Sequence, residues 1–189
     1  MGILSHLEPK SVFDYFERLC AVPHGSGNTK IISDLCVTMA KELGLRYRQE
    51  DCNNVIIWKD ASPGYENAAP VILQGHMDMV CAQTEDCPKD MTREGLDLAT
   101  DGRYVWAEKT SLGGDDCIAV AAAFAILADD SLSHPPRVPR LLRRRSAGRL
   151  LRTRREGAFD RRGVLRRVHR RSEGRSLRRG DRQRPRQRQ

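Results

Sequence analysis

Along the first two thirds of the chain, apolar positions alternate between helical and extended periods. Val12, Phe13, Phe16, Leu19 and Cys20 recur at helical spacing after Pro9, which predicts a helix. Pro23-His24-Gly25-Ser26-Gly27-Asn28 then breaks the chain. Ile31, Ile32, Leu35, Cys36, Met39, Ala40 and Leu43 form one broad stripe that Gly44 ends, predicting a second helix. Residues 45–50 alternate and Val55-Ile56-Ile57-Trp58 is apolar throughout; with Asp51-Cys52-Asn53-Asn54 between them they predict a hairpin. Residues 60–70 are polar and turn-rich. Val71-Ile72-Leu73-Gln74-Gly75-His76-Met77-Asp78-Met79-Val80 starts apolar and ends polar, the pattern of a buried central strand that stops at a site. Within the polar stretch 81–109, Tyr104-Val105-Trp106 predicts one strand. Ser111-Leu112-Gly113-Gly114-Asp115-Asp116 leads into an Ala-rich helix over Cys117–Asp130, carrying Ile118, Val120, Phe124, Ile126 and Leu127. Strands alternating with helices imply an α/β fold with a mixed, largely parallel sheet flanked by helices. No internal repeat is visible.

Charge changes this picture at one place. The formal net charge of the 189 residues is +8, yet residues 1–136 hold 11 basic and 21 acidic side chains. Residues 137–189 hold 22 Arg, no Lys and 4 acids, so the basic character belongs wholly to the end of the chain. That excludes reading the organised part as a nucleic-acid binder on charge. Residues 137–189 also contain no Asn, Ile, Met, Tyr, Trp or Cys. Selection has little reason to remove all of these together, whereas GC-rich codons remove them at once. The expectation is therefore two parts: a partial catalytic domain over 1–136, and an Arg-rich, low-complexity tail over 137–189 that is disordered and out of frame. The alternative is a functional basic arm that binds nucleic acid through phosphates. Against it, Phe159 is the tail's one aromatic, so base-stacking residues are not interleaved.

No apolar run reaches about eighteen residues, and the start lacks a basic segment followed by an apolar one, so neither a membrane span nor a secretory signal is expected. Met1-Gly2 with Ser5 fits N-myristoylation poorly, its hydroxyl lying one place off. Six scattered cysteines without a CxxC pair fit a reduced, cytoplasmic protein, with Cys20 and Cys36 acting as small apolar residues.

Two polar clusters follow segments expected to be buried. His76 and Asp78 lie two apart, on one face of a strand. The imidazole can offer a nitrogen to a metal, while a neighbouring carboxylate holds the ring or binds directly. Asp115 and Asp116 open a helix, where acidic side chains also serve as plain caps. Either cluster alone reads more readily as structural.

Together they carry a resemblance. Gln74-Gly75-His76-Met77-Asp78-Met79-Val80, with Asp115 in Ser-Leu-Gly-Gly-Asp-Asp 39 residues after His76, resembles the co-catalytic zinc exopeptidases. Within that family it is most similar to the dipeptidases that cleave Xaa-His dipeptides. Phe13 to Pro23-His24, and Ile126-Leu127-Ala128-Asp129-Asp130 through His134-Pro135-Pro136, support the match. The resemblance implies hydrolysis of carnosine-like dipeptides with two zinc ions per site, cobalt or manganese being alternatives, in a cytoplasmic homodimer. It implies that His76 binds one zinc, that Asp115 bridges both, and that Asp78 is the catalytic-site carboxylate that fixes the His76 tautomer. A shared carboxylate suits two zinc ions about 3.5–4 Å apart, which together lower the pKa of a bridging water. Asp116 stands where these dipeptidases usually have Asn, and Cys117 where they usually have Gly. The family's general-base Glu and its next zinc ligand would fall near Arg145-Ser146, and no such acids stand there. The remaining ligands are absent as well. The expectation is an N-terminal fragment of a dipeptidase that is itself inactive and poorly folded, and that makes no specific contact with nucleic acid or membrane.

Overall fold

A computed structural model of the chain describes residues 2–137 and 139–142. The first helix, α1 (Lys10–Cys20), starts after Pro9, whose carbonyl accepts from the amides of Val12 and Phe13. It buries Phe16, Leu19 and Cys20, the helical-spacing residues of the sequence. The second helix, α2 (Lys30–Glu42), buries Ile32, Cys36, Val37, Met39 and Ala40. It closes where the Leu45 amide donates back to the Ala40 carbonyl across Gly44.

Strands β1 (Arg46–Gln49) and β2 (Val55–Trp58) form the expected antiparallel hairpin, with Arg46 opposite Trp58 and Gln49 opposite Val55. Val55 and Ile57 point into the core and are fully buried. On the other face the Arg46 guanidinium lies over the Trp58 ring at 5.0 Å. Strand β3 (Gln74–His76) precedes a two-stranded antiparallel ribbon of β4 (Leu98–Thr100) and β5 (Val105–Ala107). The pattern Tyr104–Trp106 marked β5; β4 carries no such alternation and went unmarked. Helix α3 (Gly114–Ala128) follows, and β6 (Arg140–Leu142) completes the four-stranded sheet in the order β1-β2-β6-β3.

One apolar core serves all these elements. α3 packs on α1 and β3, and α2 on β1 and β2. Phe124 of α3 is fully buried, its ring stacked on Tyr15 of α1 with centroids 5.5 Å apart. Cys20, Cys36 and Cys117 are buried free thiols in the same core, and burial pushes all three up, Cys117 to about 12. Two cations meet the carbonyl end of α3, where positive charge is favoured. Lys59 Nζ donates to the Leu127 carbonyl at 2.7 Å, and Arg137 Nη1 to that of Ile126 at 2.6 Å.

The α/β class stands, and three details differ from the sequence expectation. Among the described strands only β3 and β6 pair in parallel; β1–β2 is antiparallel because a short hairpin returns the chain on itself, and β2–β6 is antiparallel as well. The segment 71–80 is not a buried central strand. β3 spans three residues at the edge of the described sheet, and Val71 and Ile72 are 45 % and 59 % exposed. β6 lies on one side of β3, and no described strand lies on the other. The ordered fold also passes the boundary expected at 136: Arg137 and Leu141 are buried, and β6 lies between β2 and β3. Pairing on both sides places Leu141 in the core whatever the composition around it. The remainder of the expected tail, including Arg145, Ser146 and Phe159, lies outside the described residues. Among those described, no helix is long and apolar enough to cross a membrane.

Candidate metal and catalytic site

His76 ends β3, and the chain then leaves the sheet with Met77 and Asp78 buried. The imidazole Nδ1 sits 2.9 Å from the Asp78 backbone carbonyl and 3.6 Å from its Oδ1. Both are oxygen acceptors, so in the neutral ring Nδ1 carries the proton and donates. Nε2 then presents its lone pair, and what it faces is Asp115 Oδ1 at 3.4 Å. A lone pair and a carboxylate oxygen converge with no proton of their own between them, which is the donor set a cation joins.

The two aspartates on either side of His76 differ in setting. Asp78 is 1 % exposed, and its Oδ2 accepts from the Ser26 hydroxyl at 2.7 Å. The Asp115 side chain is 91 % exposed, at the tip of a backbone that is not yet helical. Neither Asp115 nor Asp116 caps α3 through its side chain, so the plain capping reading does not describe this turn. The Oδ2 of Asp116 instead accepts from the His76 amide at 3.3 Å. Gly113 leads into the turn with φ +69, and a Cβ there would lie 2.8 Å from Met79 Sδ and 3.2 Å from His24 Nε2. Only glycine accepts both that conformation and that approach.

The expected residues His76, Asp78 and Asp115 are thus brought together from two places 39 residues apart. Two further residues belong to the cluster and were given no role in the site by the sequence: Ser26, read as part of a chain break, and His24, read as part of that break and of the resemblance. His24 is buried, with Nδ1 2.7 Å from the Val22 carbonyl and Nε2 without a partner among the described residues. Burial pushes its pKa down, against the Val22 hydrogen bond and the Asp78 charge, which pull it up. Serine and histidine next to glycines carry no periodicity, and only the fold brings them beside Asp78. As for a metal, the donors present suit one His–carboxylate pair. Among the described residues no group of three or more His, Cys, Asp or Glu could hold an ion.

Known proteins resemble this chain in sequence and in fold. No family model matches the chain. The cytosol non-specific dipeptidase of Escherichia coli (strain K12) is 38 % identical over 136 residues, 72 % of this chain and 28 % of that protein. The crystal structure of aminoacylhistidine dipeptidase from Vibrio alginolyticus superposes with a TM-score of 0.73 at 35 % identity, over 78 % of this chain and 30 % of that one. A Staphylococcus aureus tripeptidase shares the fold with a TM-score of 0.57 at 18 % identity, over 74 % of this chain and 37 % of its own. The chain therefore spans under a third of the length of the dipeptidases it matches. Over the part it covers, the chain is similar in sequence and in fold to the cytosol non-specific, or aminoacylhistidine, dipeptidases.

Proposed function

We propose that this chain carries one part of the active centre of a metal-dependent dipeptidase. The observation that supports it is the convergence of His76 Nε2 and Asp115 Oδ1 at 3.4 Å, with the far side of the imidazole engaged by Asp78. His76 and Asp115 would hold zinc, or cobalt or manganese in its place. Bound there, such an ion polarises a peptide carbonyl and acidifies water. The residues of the chain do the rest of what can be assigned. Asp78 keeps the proton on His76 Nδ1, so that Nε2 stays a ligand. The substrates of the whole enzyme would be Xaa-His and similar dipeptides, cleaved in the cytoplasm by a homodimer.

The 189-residue chain itself should turn over no dipeptide. A catalytic zinc normally has three protein ligands and a water, and only His76 and Asp115 meet here among the described residues. The test is a zinc titration by calorimetry, with a Xaa-His dipeptide assay on the same sample. The expected result is weak binding that His76→Ala or Asp115→Ala abolishes, without turnover. Binding indifferent to both substitutions would overturn the metal assignment, and metal-dependent turnover would overturn the inactivity.

A further inference from the structure

The turn at residues 24–26 is docked against the segment that leaves β3. The Met79 amide donates to the His24 carbonyl at 3.0 Å, and the Ser26 amide donates to the Met79 carbonyl at 2.8 Å. These two bonds make a short parallel bridge between Gly25 and Met79. Gly25 is what lets the chains come so close, since a Cβ there would lie 2.5 Å from Cys81 Sγ. The backbone therefore sets where the Ser26 side chain stands.

Ser26 has one hydroxyl proton and two acceptors in reach, Asp78 Oδ2 at 2.7 Å and the Met79 carbonyl at 3.2 Å. The shorter contact is to a charged oxygen and takes the proton. Turning the buried carboxylate about its terminal bond would break this contact. Its other oxygen, Oδ1, is the one turned toward His76 Nδ1 at 3.6 Å. On the same turn, His24 Nε2 is buried against Gly113, two residues before Asp115. One turn thus abuts both halves of the site.

We propose that Ser26 is a positioning residue: its hydroxyl holds the Asp78 carboxylate with Oδ1 3.6 Å from His76 Nδ1, where its charge reinforces the Nδ1 hydrogen bond to the Asp78 carbonyl at 2.9 Å and helps leave Nε2 as the nitrogen presented to Asp115. This rests on the reading of His76 and Asp115 as a metal-holding pair. A hydroxyl that merely satisfied a buried carboxylate would contribute stability alone. A clamp also sets the His76 tautomer and the affinity of the pair for a cation, because partners behind a ligating imidazole tune both.

The experiment compares the full chain with Ser26→Ala and Ser26→Thr. Long-range nitrogen–proton NMR reports the His76 tautomer in the metal-free protein, and competition with a chelating dye reports zinc affinity. Wild type should hold the proton on Nδ1. S26A should raise the share of the minor tautomer, which the Asp78 carbonyl still opposes, and bind zinc about tenfold more weakly, the low end of the loss seen when such partners are removed. S26T, which keeps the hydroxyl, should restore both. An S26A protein with unchanged tautomer and unchanged zinc affinity overturns the inference even if its melting temperature falls. Should S26A not fold, Ser26→Cys, with similar shape and a weaker donor, decides the matter by the same two readouts. His76→Ala separates the two claims. If it leaves zinc binding intact, the metal reading falls, and the tautomer alone decides the role of Ser26.

Discussion

The hairpin side of the sheet and the side that bears the site are built on different principles. α2, β1 and β2 follow one another directly, bury Ile32, Met39, Val55 and Ile57, and pair β1 with β2 within about a dozen residues, only the second edge of β2 taking a distant partner in β6. β3 and α3 stand 37 residues apart and depend on partners from elsewhere: β6 beside β3, α1 beneath α3, and the 24–26 turn behind Asp78. The first region is closed and ordinary. The second leaves Val71, Ile72 and Val80 exposed, yet it holds His76, Asp78 and Asp115. Chemical groups gather where segments distant in sequence end together, because no single element can supply both a ligand and what orients it.

The two regions share Leu141, which pairs with Val55 on one side and Gly75 on the other. The strongest test of whether they form one cooperative unit is Phe124→Ala. The ring is fully buried and stacked on Tyr15, so its loss should cost about 3–5 kcal/mol, through lost transfer energy and a residual cavity. Denaturant unfolding should show that loss, and hydrogen exchange should show whether it is shared. If the amides of β1 and β2 keep their protection while those of α3 lose it, the two regions are separate units.

A local effect comes next. Gly113→Ala places a methyl 2.8 Å from Met79 Sδ on a backbone with φ +69. The left-handed conformation and the overlap together should cost about 2 kcal/mol. Exchange should rise around residues 111–117 and leave the hairpin untouched, which would sharpen the contrast between a region that tolerates change locally and one that does not. A loss that spreads evenly over both regions would remove the contrast.

Legibility in the sequence follows the same division. α1, α2 and the β1–β2 hairpin could be read from period alone, because each declares its buried face within its own length: Leu19 and Cys20, Met39 and Ala40, Val55 and Ile57. β3 misled, since an apolar run such as Val71-Ile72-Leu73 does not state whether a strand is central or at an edge. β6 was hidden by its composition; Arg140 and Leu141 sit in an Arg-rich stretch, and only pairing on both sides reveals a core strand there. At the site, His76, Asp78 and Asp115 were visible as a motif pair. Ser26 and His24 were not, since 52 residues separate Ser26 from Asp78 and no periodicity links them.

The smallest expected effect concerns His24, which belongs by sequence to the α1–α2 connection and by contact to the site. The Val22 carbonyl only accepts, so the His24 proton sits on Nδ1 and Nε2 is a buried lone pair. Protonating Nε2 would bury a charge with no described acceptor, which is why burial lowers the pKa. The Val22 hydrogen bond and the Asp78 charge oppose that shift and keep it modest. Because the folded value is depressed below the unfolded value of about 6.5, the unfolded chain binds more protons as the pH falls through that value. Stability due to neutral His24 is therefore complete above about 6.5 and declines below it, toward the folded pKa. Melting temperatures of wild type and His24→Gln at pH 7.5 and pH 5 measure this directly, since every other titrating group is common to both proteins. The cost of H24Q should be larger at pH 7.5 than at pH 5. A cost that does not change with pH would mean that His24 ionises as freely in the fold as outside it, and that the turn does not seal the back of the site.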